Sequence, residues 1–232
     1  KFPQIFVAGC YIIGFEKETN KQILETFRLC LEMDLSWSSW AVFQKPLEET
    51  IDNEFEADLE VDTEEHRKSS DFIPSKASAD DSIQSDVSVN LEELFTDRLE
   101  KLHSQEDLDE IWFAFNFLAN YVNNKYLRKG ASPQPLIKWL KALLSSHPSN
   151  AIINLFYYLA HIVVGDDVAQ QYYDKTEKLL EDSPYWQKRF EQCALQPIMD
   201  RPPRNQDQIQ DHLQVVRNQY SFLLKPCAKT PR

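Results

Sequence analysis

The stretch NAIINLFYYLAHIVVGDDVAQQYYDKTEKLLEDSP, residues 150–184, decides the fold. Its first half is apolar around the whole helical circumference. Its second half spaces apolar side chains three and four apart among charges. Between them stands Gly165-Asp166-Asp167. Glycine ends a helix readily, and acids at the start of the next oppose its dipole. The pattern predicts a hairpin of two helices, over 150–164 and 167–181. Pro148 and Pro184 mark its limits, because proline cannot continue a helix interior without cost.

The same reading extends in both directions. Helices are predicted over 135–145 and 184–194, with Pro197 as a further joint. Upstream, Ile111, Trp112, Phe113, Phe115, Phe117, Leu118, Tyr121 and Val122 cover more than one helical face, so this helix needs neighbours on two sides. Ser104 with Glu106 and Asp107 caps its start, and Gly130, Ser132 and Pro133 break it. Leu91, Leu94, Phe95, Leu99 and Leu102 form an earlier stripe, and Ile209, Leu213, Val216, Tyr220, Leu223 and Leu224 a last one. Near the start, Ile23, Leu24, Phe27, Leu31 and Leu35 make an amphipathic helix capped by Thr19 or Asn20. Trp37 and Trp40, three apart, read as one helical face. Alternation of period two never persists, so no strand is expected.

Charge divides the chain. Positions 46–97 hold 17 acidic and 3 basic residues, while the other 180 positions hold 20 and 22. A segment so acidic and rich in Ser cannot bury enough apolar surface to offset its ordering entropy. The expected fold class is therefore all-α: antiparallel helical pairs stacked as a short α-solenoid or irregular bundle, with a long acidic disordered insertion. Its parts are an N-terminal helical segment (1–45) packing on the main domain, the acidic insertion (46–89), a helical-repeat domain (90–225) and a flexible tail (226–232). Because the chain opens at Lys1 and not Met, it reads as a piece of something longer.

The helix ends recur. Leu143-Leu144-Ser145-Ser146-His147-Pro148 and Leu179-Leu180-Glu181-Asp182-Ser183-Pro184 are offset by 36 positions, and Leu136 and Tyr172 stand seven before each leucine pair. Ile23, Phe27, Cys30, Leu31 and Leu35 form a third relative. This resembles the second helix of tetratricopeptide repeats, in which a small or apolar residue, an aromatic and an Ala-Leu-like pair precede a closing proline. Departures are present: the first helix lacks Trp and a central Gly, Thr176 stands at an aromatic position, and Leu143 and Leu179 replace a small residue. The resemblance implies scaffolding.

Chemistry-bearing motifs are absent from the sequence. There is no CxxC, HExxH or GxSxG, and four glycines leave little for a phosphate-cradling loop. His66, His103, His147, His161 and His212 are scattered without a second ligand at metal spacing. His161 reads as a packing histidine, and Asp166 and Asp167 as helix-start acids. Lys125, Arg128 and Lys129 read as helix-end cations, not a phosphate site. The four cysteines, Cys10, Cys30, Cys193 and Cys227, lack close pairing, which suits a reducing compartment. No apolar run approaches the length of a membrane span.

The expectation is a non-enzymatic protein–protein interaction scaffold or adaptor, a subunit of a hetero-oligomeric intracellular complex, with the nucleus placed ahead of the cytoplasm. It has no cofactor, no metal, no membrane segment and no small-molecule substrate. Consecutive aromatics point in different directions around a helix, so some should reach a surface as binding anchors. Trp112, Tyr157, Tyr158, Tyr172, Tyr173 and Trp186 are the candidate partner-binding residues. Ser78, followed by Ala79 and two acids, is a candidate phosphosite. Two rival readings are a nucleic-acid-associated regulatory factor with an acidic autoinhibitory tether, and a helical enzyme without a known motif.

Overall fold

The computed structural model describes residues 5–43 and 89–224. The acidic insertion lies outside the described residues except for Val89, and so do Ser78 and the tail. The described chain is mostly helical, but it is not all-α. It opens with strand β1 (Ala8–Ile13), helix α1 (Asn20–Met33) and strand β2 (Trp37–Val42). The strands pair in parallel, Ala8 opposite Trp37 through Ile13 opposite Val42. Burial in β1 does alternate, but its exposed positions Ala8, Cys10 and Ile12 are as apolar as the covered ones, and β2 is covered along most of its length, so no polar–apolar alternation is written in the sequence. Trp37 and Trp40 are both buried, yet they do not share a helical face. In a strand, positions three apart lie on opposite sides. Trp40 meets Phe27 of α1 (ring centroids 6.0 Å apart), and Trp37 meets Tyr121 and Trp139 on the other side (5.5 and 5.8 Å).

The remaining elements are α2 (Leu91–Thr96), α3 (Gln105–Phe117), α4 (Gln134–Ser146), α5 (Ala151–Val164), α6 (Ala169–Asp182), α7 (Pro184–Gln192), α8 (Gln196–Asp200), α9 (Gln206–Gln219) and α10 (Ser221–Leu224). Several helices start at capping residues legible in the sequence, while α4, α6 and α8 start without a side-chain cap. Thr19 and Ser104 form capping boxes with Gln22 and Asp107, and Asn90, Asn150, Ser183 and Asn205 each accept an N–H from the first turn. Gly165, at φ +69°, ends α5 in the left-handed conformation that glycine adopts without a Cβ clash. The neighbouring pairs α4–α5, α5–α6 and α6–α7 stack on one another. Leu99 and Leu102 lie beyond α2, Leu99 in a turn and Leu102 in an isolated antiparallel bridge to Thr19, and the last predicted helix breaks at Tyr220 into α9 and α10.

A single hydrophobic cluster runs from Ile13 to Leu223, so residues 5–43 share one core with 89–224. What joins them is an asparagine row. One edge of β2 pairs with β1, and the other faces α3 and the π-helical turn Leu118–Val122 that follows it. Asn120 donates to Ser38 O and accepts from Ser38 N, each at 2.7 Å. Trp112 Nε1 donates to Trp40 O at 2.7 Å, and Asn124 Nδ2 to Ser36 O at 3.4 Å. Side chains thus take the place of a third strand, satisfying backbone groups that burial would otherwise leave without partners.

Trp112, Asn116, Asn120 and Asn124 are spaced by four. In an α-helix each such step overshoots a full turn by about 40°. A π turn, bonded i to i+5 as in Asn123 N to Leu118 O (2.9 Å), rotates less per residue and returns the row to the strand.

Arg189 of α7 grips Glu110 of α3 with both terminal nitrogens, the Nη1 bond measuring 2.6 Å, while its guanidinium lies 4.2 Å from the Phe113 ring centroid. The two side chains are 16% and 24% exposed, so solvent screens the pair only in part. Arg189→Met should lower unfolding free energy by roughly 2–3 kcal/mol, below the full cost of breaking a deeply buried pair. Glu110→Gln in the same background should restore part of it. A double-mutant cycle in urea measures this, and strictly additive single-mutant losses would show that the pair does not couple.

Candidate partner-binding surface

The six aromatic candidates do not form an exposed surface. Trp112, Tyr157, Tyr158 and Trp186 are buried, and Tyr172 and Tyr173 are half-buried. Helix α5 is interior along its whole first three turns, Ala151 to His161, because α4, α6 and α9 surround it. Consecutive tyrosines do point in different directions there, but each direction ends in protein. Tyr157 meets Tyr172 edge-on at 4.4 Å, and Tyr158 meets Tyr173 at 5.4 Å, forming two rungs between α5 and α6. Tyr158 donates to Pro203 O at 3.0 Å and Tyr173 to Met199 O at 2.7 Å. The signal that marks them as core is the all-round apolarity of 151–164, a property of a central helix.

His161 is also interior. Its Nδ1 lies 3.0 Å from Asp166 Oδ2, its ring stands edge-on to Tyr157 at 4.5 Å, and its Nε2 is buried with no hydrogen-bond partner among the described residues. Asp166 in turn accepts the Val168 N–H at 3.0 Å, which together with His161 lowers its carboxyl pKa. Neither cavity described below is lined by His161. Among the described residues no three His, Cys, Asp or Glu side chains are grouped to hold a metal ion, and no helix is long and apolar enough to cross a membrane.

The tyrosine rungs place a different feature at the surface. By fixing Met199 against α6, Tyr173 brings α8 alongside α6 and α7, and these helices enclose a groove of about 750 Å³. Leu180, Pro184 and Met199 supply its apolar lining. Among the described residues four carboxylates, Glu177, Glu181, Glu191 and Asp200, line it against the one ammonium of Lys188. The negative field registers on Tyr173: burial first, then Glu177, Asp174 and Asp200, push its phenol above the ordinary value. Gln187 Nε2 donates to Leu180 O at 2.7 Å and holds the α6–α7 corner. Sequence reasoning missed this site because the acids are spread over three helices and α8 was not foreseen.

No protein-family model matches the chain, and comparison with curated proteins and with solved structures finds no match.

Proposed function

We propose that this chain is a non-enzymatic adaptor, a subunit of a hetero-oligomeric assembly in the nucleus or cytoplasm, that holds a basic, apolar-faced segment of a protein partner. The observation that carries the reading is the α6–α8 groove, where an apolar lining is rimmed by four carboxylates and one lysine. Lysine and arginine on a partner complement that rim, while the partner's apolar side chains gain by covering Leu180 and Met199. The finer architectural reading is a degenerate tetratricopeptide-like stack. It is supported by the shared packing of α4–α5 and α5–α6 and by the 36-position offset between the ends of α4 and α6. The three described cysteines are unpaired, which suits a reducing compartment.

Affinity purification of the full chain from cells, beside the variant Glu177→Lys/Glu181→Lys/Glu191→Lys, tests the proposal. All three positions are on helix surfaces, so circular dichroism should be unchanged. At least one partner should fall about tenfold or more in the variant, and the same partner should be lost as salt is raised. Identical partner sets for the two proteins would end this reading.

A further inference from the structure

A second cavity, of about 490 Å³, opens on the far side of the asparagine row, between α1, the π turn, α9 and α10. That volume falls in the range of small-ligand sites, about 300–1,000 Å³. Its floor is apolar but unfinished: Leu31, Leu35, Ala119 and Leu224 are each only partly covered by the protein. Two arginines line it. Arg128 is neutralised by Asp34, which its Nη1 and Nη2 grip at 3.0 and 2.6 Å. Arg217 is not neutralised. Its Nη2 donates to Val122 O at 2.8 Å and its Nε to Asn123 Oδ1 at 3.3 Å, so the guanidinium is held in place by neutral oxygens.

No carboxylate pairs with Arg217 among the described residues, and its Nη1 has no hydrogen-bond partner there. Burial and the nearby charge of Arg128 both lower its affinity for the proton. Asn218, whose Nδ2 has no hydrogen-bond partner among the described residues, and Ser221 line the same cavity. A half-buried cation fixed in orientation, carrying a free donor and facing an apolar floor, is complementary to one kind of molecule.

We infer that this cleft binds a small amphipathic carboxylate, its head on Arg217 Nη1 and Asn218 and its apolar body over Leu31, Leu35, Ala119 and Leu224. The single unshared charge of Arg217 matches a monoanion. Only one guanidinium nitrogen is free, which suits a carboxylate oxygen better than the several oxygens of a phosphate. Arg128 and Arg217 stand 89 positions apart, with no motif joining them. The site goes beyond the adaptor reading and is independent of it, since the two cavities share no residue.

Octanoate is the probe, titrated into the full chain by calorimetry, with octan-1-ol and inorganic phosphate as comparators. Octanoate should bind with a dissociation constant on the order of 1 mM or below and shift the Arg217 Nε–H resonance. Arg217→Gln should weaken it roughly tenfold. Because Arg217 also caps Val122, the exposed Asn218→Asp provides a second variant that keeps that cap, adds a negative charge to the lining of the cleft and should weaken octanoate severalfold. Failure of octanoate to bind, equal binding of octan-1-ol, or unchanged affinity in Asn218→Asp overturns the inference. Phosphate binding as tightly as octanoate overturns it too, because the apolar floor would then contribute nothing.

Discussion

Replacing Asn120 with Leu should lower the unfolding free energy by about 4 kcal/mol, while the same change four residues earlier, Asn116→Leu, should cost about 1 kcal/mol. Both asparagines are buried, at 1% and 0% exposure, and leucine has nearly the same shape, so packing alone predicts similar effects. The difference lies in what each amide leaves behind. Among the described residues Asn120 supplies the only partners of the Ser38 N–H and C=O, on the edge of β2 turned toward α3, and Ser38 is itself 5% exposed. Removing the amide strands one donor and one acceptor, each costing about 1–3 kcal/mol when buried without a partner. Asn116 donates to Trp112 O, a carbonyl inside the helix, and accepts weakly from Asn120 at 3.4 Å. Urea titrations followed by tryptophan fluorescence compare the two, and hydrogen exchange at the Ser38 amide locates the loss. Equal destabilisation by both changes would show that Asn120 is not the strand's partner.

That asparagine row shows how far the sequence is legible. The helices from α3 to α7 and α9 follow from caps, glycines, prolines and apolar spacing, because those signals act within one turn of chain. Helix α1 follows in the same way, from its Thr19 cap and its apolar stripe, but the strands β1 and β2 on either side of it do not. A parallel strand sandwiched between helices has lost its alternation, and Trp37 and Trp40 satisfy a helical spacing and a two-sided strand equally well. The residues that decide between these readings, Trp112, Asn120 and Asn124, lie more than 70 positions away. The candidate sites were less legible still. Aromatic density marked the interior of α5, whereas the groove and the cleft are lined by ordinary Glu, Leu, Arg and Asn side chains that only the fold assembles. Burial can be inferred from composition when a helix is apolar all round; charge complementarity across three helices cannot.

The other large effect is expected at Phe115. Its ring is fully buried and stacks on Phe27 of α1 at 4.1 Å, meets Trp40 of β2 edge-on at 5.1 Å and stacks on Phe95 of α2 at 5.9 Å. One side chain therefore touches α1 and β2, which precede residues 44–88, and α2, which follows them. A two-stranded sheet with one helix is too small to hold together alone, so residues 5–43 must draw their stability from contacts of this kind. Phe115→Ala should cost about 3–5 kcal/mol, a large share of the roughly 5–15 kcal/mol typical of a whole domain. Phe115→Leu, which leaves a smaller void, should cost markedly less. If residues 5–43 and 89–224 form one cooperative unit, the alanine variant unfolds in urea as a single transition with an unchanged slope and a lower midpoint. A two-step curve, in which the Trp37 and Trp40 signals change before the helices melt, would show instead that the N-terminal unit opens by itself.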